Sequence, residues 1–82
     1  MKRFTYRSGD EIRAGDHIAY HTEPGTVEFV VTVKSGDAAM DWYAEQYPGG
    51  GFMITAKDFG NVFLTEKDID EDLELVRRAA AA

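Results

Sequence analysis

The chain has no cysteine. That excludes a disulfide framework and a thiolate metal site, so neither can reinforce the fold. No apolar run approaches the roughly 18 residues that a membrane-spanning helix needs. The start, Met1-Lys2-Arg3-Phe4-Thr5-Tyr6, lacks the apolar core of a secretory signal. The expectation is a cytoplasmic chain that does not enter a membrane. Positive charge is also scarce: nine Lys and Arg stand against fifteen Asp and Glu, a formal net charge of −6. The imbalance is local. Residues 1–34 balance, with Lys2, Arg3, Arg7, Arg13 and Lys34 against Asp10, Glu11, Asp16, Glu23 and Glu28, so the whole excess lies in residues 35–82. An acidic field of this kind repels a phosphate backbone and attracts basic partners.

With 82 residues, 44% of them hydrophobic, the chain has the composition of a globular domain. A domain of this size buries only a little over ~60% of its unfolded surface, so the core is thin and rests on apolar packing. The expected organisation is one domain over 1–78 followed by a disordered alanine tail, 79–82.

The clearest periodic segment is Thr26 to Val33. Val27, Phe29, Val31 and Val33 alternate with Thr26, Glu28, Val30 and Thr32, which predicts a strand with the first set facing inward. Pro24-Gly25 before it reads as a turn pair, and His17–His21 before that as another strand, with Ile18 and Tyr20 inward. Phe4 and Tyr6 predict a short first strand, and Ile12 an isolated apolar plug. Asp37 is a candidate N-cap. Met40, Tyr43, Ala44 and Tyr47 follow at helical spacing, so 38–47 is expected as a short helix. The rival is a strand with Met40, Trp42 and Ala44 on one side. It is disfavoured because no residue there is β-branched. Pro48-Gly49-Gly50-Gly51 ends this element. Residues 52–55 and 62–65 read as a hairpin and 73–76 as a last strand.

The run Ala14-Gly15-Asp16-His17-Ile18-Ala19-Tyr20, with Glu23-Pro24-Gly25-Thr26-Val27-Glu28-Phe29-Val30, resembles the opening of SH3-like small barrels, the KOW type among them. The whole chain is also similar to short bacterial proteins. The resemblance implies a mainly β fold: a small antiparallel SH3-like barrel of about five to six strands with one short helix near 38–47. KOW-type modules bind RNA or ribosomal and transcription proteins. They are usually basic and this chain is acidic, which argues against a nucleic-acid partner.

Few residues form a chemical constellation. Ser8 and Ser35 lack a nucleophile-elbow context, and Gly49-Gly50-Gly51 lacks the Gly-Lys-Ser/Thr ending of a phosphate loop. No cofactor is expected. His17 and His21 share a face if both lie on one strand, but ~13 Å then separates them, too far for one metal ion. Asp68-Ile69-Asp70-Glu71-Asp72 resembles half of an EF-hand loop, but Leu73 and Ala79 stand where Gly and Glu are needed. Solvated surface groups are the simpler reading of both. Trp42, Tyr43, Tyr47 and Phe59 could line an aromatic groove, with Trp42 off the apolar helix face beside Asp41 and Glu45.

The expected function is therefore non-enzymatic: a protein-interaction module, inhibitor- or immunity-like, that presents an acidic face to a basic partner. Its expected contact residues are Trp42, Asp41, Glu45, Asp68, Asp70, Glu71 and Asp72. One alternative is an RNA- or ribosome-associated module using Lys2, Arg3, Arg7, Arg13, Arg77 and Arg78. The other is a small-ligand or metal-binding domain.

Overall fold

The computed structural model describes residues 3–32 and 36–78. The expectations for Lys2, Val33, Lys34, Ser35 and the alanine tail lie outside the described residues. The fold is mainly β. Strands β1 (His17–Tyr20), β2 (Glu23–Val31), β3 (Gly51–Ala56), β4 (Gly60–Leu64) and β5 (Leu73–Arg77) form one antiparallel sheet in the order β4-β3-β2-β1-β5. Helix α1 (Ala38–Gln46) links β2 to β3, and a single 3-10 turn, Glu66–Asp68, precedes β5.

Residues 38–46 are helical, as their spacing predicts, and Asp37 caps the helix. Its Oδ1 accepts from the backbone N–H groups of Ala39 and Met40 at 3.0 and 3.2 Å. The sheet is not closed. The chain before β1 seals one of its faces instead. Phe4, Tyr6 and Ile12 pack there against Ile18, Val27, Phe52, Ile54, Leu64 and Leu73. The expected first strand is reduced to one bridge, Thr5 to Glu11, because Gly9 at φ +98° turns the chain straight back. Phe4 and Tyr6 still alternate inward and Thr5 and Arg7 outward.

Two expectations about the organising hairpin are corrected. Pro24-Gly25 is not its turn. The turn residues are His21 and Thr22, at φ +48° and +70°, and Pro24 and Gly25 lie inside β2 opposite Ala19 and Ile18. Gly25 serves close approach rather than a turn: a Cβ there would stand 2.5 Å from the Thr55 carbonyl oxygen on β3. Pro24 is tolerated one residue into the strand, where its carbonyl accepts from the Lys57 N–H at 3.0 Å.

The second correction concerns the alternation of β2. Val27 pairs with Ile54, but Phe29 pairs with Met53 and Val30 with Phe52, so Glu28 is the extra residue of a β-bulge. A one-residue insertion inverts the side-chain parity that follows it. Val27 and Val30 therefore face the core packed under Phe4. Phe29 and Val31 face the opposite side, beneath α1. Both sides of this part of the sheet are apolar, and the Val-rich run reflects two cores rather than one.

Candidate functional site

The β1–β2 turn is held against the acidic run by backbone. The His21 N–H donates to the Asp72 carbonyl at 2.9 Å, one step beyond the ladder that pairs Tyr20 with Leu73. The acidic segment is itself ordered. Asp68 accepts from the Thr65 N–H and hydroxyl, both at 2.9 Å, and Asp70 accepts from the Asp72 N–H at 2.9 Å. The two Thr65 bonds form a capping box around the 3-10 turn. The Thr65 N–H, then its hydroxyl, hold the Asp68 carboxyl below the usual range.

Asp68, Asp70 and Asp72 converge electrostatically on Tyr20. The Tyr20 hydroxyl is pushed up, first by burial and then by the negative charge of Asp70, Asp68 and Asp72 in that order. Its ring is half-buried, with that of His21 at 4.4 Å and that of Phe59 at 5.2 Å between centroids. Phe59 sits in the β3–β4 turn and is 46% exposed. His21 Nδ1 stands 3.4 Å from Asp72 Oδ2. Asp72 and three rings thus meet at one end of the sheet, with Asp68 and Asp70 near enough to act on the Tyr20 hydroxyl.

The other expected contact residues form a separate group on α1. Trp42 is 53% exposed and stands edge-on to Tyr43 at 5.0 Å. Tyr43 stacks on Phe63 at 4.6 Å and also touches Phe29, so it attaches the helix to the sheet. Tyr47 completes this cluster against Phe63 at 4.7 Å. Asp41 accepts from the Gly36 N–H at 3.1 Å, and Glu45 is exposed. The expected groove of Trp42, Tyr43, Tyr47 and Phe59 is therefore corrected: Phe59 belongs with Tyr20 and His21, because it lies in the β3–β4 turn beside the start of β2, whereas Tyr43 and Tyr47 pack on Phe63 within β4. Nor do His17 and His21 share a strand face, since His21 is in the turn. Glu71 is exposed within the acidic run.

Sequence reasoning missed Asp16. It reads as one more turn aspartate, yet it is 1% exposed. One oxygen, Oδ2, accepts from the Tyr6 hydroxyl at 2.7 Å, the Arg13 N–H at 2.9 Å and the Arg78 guanidinium at 2.8 Å. Burial above all, then the bond to Asp16 and its charge, drive the Tyr6 hydroxyl far above its ordinary range, so it remains a donor. Arg78 also donates to the Glu11 carbonyl. This latch ties the N-terminal plug, the β1 start and the β5 end together. A sequence signal existed in the isolated pair Arg77-Arg78 after an acidic run, but nothing in it named the partner.

Among the described residues no group of three or more His, Asp or Glu side chains is arranged to hold a metal ion. Among the same residues no helix is long and apolar enough to cross a membrane. Compared with protein-family models, with curated proteins and with solved structures, the chain matches none.

Proposed function

We propose that this chain is a non-enzymatic, cytoplasmic interaction module whose acidic β4–β5 connection receives a basic protein. The observation that carries the reading is Asp72 held 3.4 Å from the His21 ring, beside Tyr20 and an exposed Phe59, with Asp68 and Asp70 fixed by backbone hydrogen bonds in the same connection. Carboxylates pinned by backbone hydrogen bonds are already in place when a partner arrives. A localised field of one sign speeds encounter more than it deepens affinity. An inhibitor or immunity-type role suits such a surface. The helix patch of Trp42, Asp41 and Glu45 is a second contact area on the same reading.

The SH3-like assignment belongs to this proposal too. A four-strand meander whose fifth strand returns beside β1 after a 3-10 turn supports it. The fold by itself carries no function. The RNA-binding alternative needs a free basic cluster. Arg78 is engaged with Asp16, and Arg13 lies 3.2 Å from Glu11, which supports ranking that alternative below the acidic-face reading.

The test is binding of an octa-lysine peptide at 25 and 150 mM salt, to the wild type and to Asp70→Asn/Glu71→Gln/Asp72→Asn. Asp68 is left intact because it caps the 3-10 turn. Affinity should fall with salt and fall again in the triple variant. Binding that is indifferent to both would refute the proposal and leave the charge as a solubility device.

A further inference from the structure

The three rings at the acidic end have a specific geometry. Tyr20 stands edge-on to both neighbours, at 65° to His21 and 73° to Phe59, so it works as a wall between the core and two outer rings. Those outer rings are only 38° apart, with centroids 5.7 Å from each other. Both His21 and Phe59 are exposed. Two exposed rings therefore lie side by side, and the Asp72 carboxylate stands 3.4 Å from the nearer nitrogen of the His21 ring. The turn holding His21 is costly. A β-branched Thr22 at φ +70° sits where glycine or asparagine is cheap.

An exposed apolar ring beside fixed carboxylates suits a cation more than a neutral apolar group, and among cations it discriminates. A lysine ammonium is a compact, strongly hydrated charge. A guanidinium is flat and weakly hydrated. It stacks on ring faces while its edge donates to a carboxylate. Lys57 and Asp58 precede Phe59 in the same turn and offset each other in charge, so the sign of the surface is set by the acidic run.

We infer that an arginine side chain of the basic partner seats here, its guanidinium stacked on Phe59 and His21 and its edge directed at Asp72. This rests on the acidic-face reading and adds to it the identity of the anchoring residue. Lysine at the same position makes the charge contact without the stack.

The experiment compares a tetra-arginine with a tetra-lysine peptide by NMR titration at low salt, in the wild type, Phe59→Ala and Phe59→Trp. The wild type should favour the arginine peptide about fivefold. Phe59→Ala should bind both peptides at the lysine level, and Phe59→Trp should restore or enlarge the preference. Phe59 is exposed, and the amide spectrum of each variant verifies its fold. Equal binding of the two peptides by the wild type, or a preference that survives in Phe59→Ala, overturns the arginine seat and leaves the acidic-face reading standing. Failure of both peptides to bind overturns both.

Discussion

Removing Arg78 isolates the Asp16 carboxylate. In the native fold Asp16 Oδ2 receives one cationic and two neutral donors, at 2.7 to 2.9 Å, from a site that water scarcely reaches. Arg78→Met keeps the aliphatic bulk of the side chain and deletes the charge. Breaking a fully buried ion pair from one side costs ~3–5 kcal/mol, because the remaining charge stays buried without compensation. Arg78 is one-third exposed, so water takes part of its place. The expected loss is then about 2–3 kcal/mol. A domain of this length has ~4–12 kcal/mol in total, so the variant gives up a substantial share of its stability. In melting temperature this is a drop of roughly 10–20 °C. Urea unfolding followed by far-UV circular dichroism measures it directly. A double-mutant cycle with Asp16→Asn sharpens the test: once the buried charge is gone, losing Arg78 should cost about 1 kcal/mol or less. An Arg78→Met protein within ~0.5 kcal/mol of wild type, the ordinary range for surface substitutions, would refute the latch.

Four further outcomes follow from the same geometry. Gly25→Ala forces a methyl against the Thr55 carbonyl and should cost about 2 kcal/mol or more in chemical denaturation. Thr22→Gly relieves a left-handed β-branched residue and should stabilise by roughly 0.5–1 kcal/mol in the same assay. Deleting Glu28 removes the extra residue yet leaves Val27 and Val30 on one face and Phe29 and Val31 on the other, so the protein should keep a single cooperative transition in a thermal melt. Asp68 is held below its ordinary value in the folded state, so it contributes stability above that value and loses it as pH falls through the lowered one. An acid titration of stability should therefore be shallower in Asp68→Asn.

The elements were legible where one period dominated. Residues 38–46 carry helix formers behind an aspartate cap, and β3 and β4 flank an obvious turn, so local chemistry decided them. The β2 parity was not legible past Val27. A bulge is a pairing event between strands, and Val-Glu-Phe-Val-Val suits either parity when both faces of the sheet are apolar. The hairpin turn was missed for a related reason. Pro24-Gly25 has turn chemistry, yet the close approach of β3 puts a glycine in the strand and leaves His21-Thr22 to turn the chain. At the site, the acidic run was visible as composition. Its meeting with Tyr20, His21 and Phe59 was not, because the rings and the carboxylates come from three segments that only the sheet order brings together. Asp16 was hidden for the same reason: its cationic partner is 62 residues away.

The most direct test of the account is an amide-resolved NMR titration of the wild-type protein with a short basic peptide. The shifts should concentrate at Tyr20, His21, Phe59 and residues 70–72. Shifts confined to residues 41–47 of the helix region, or absent throughout, would contradict it.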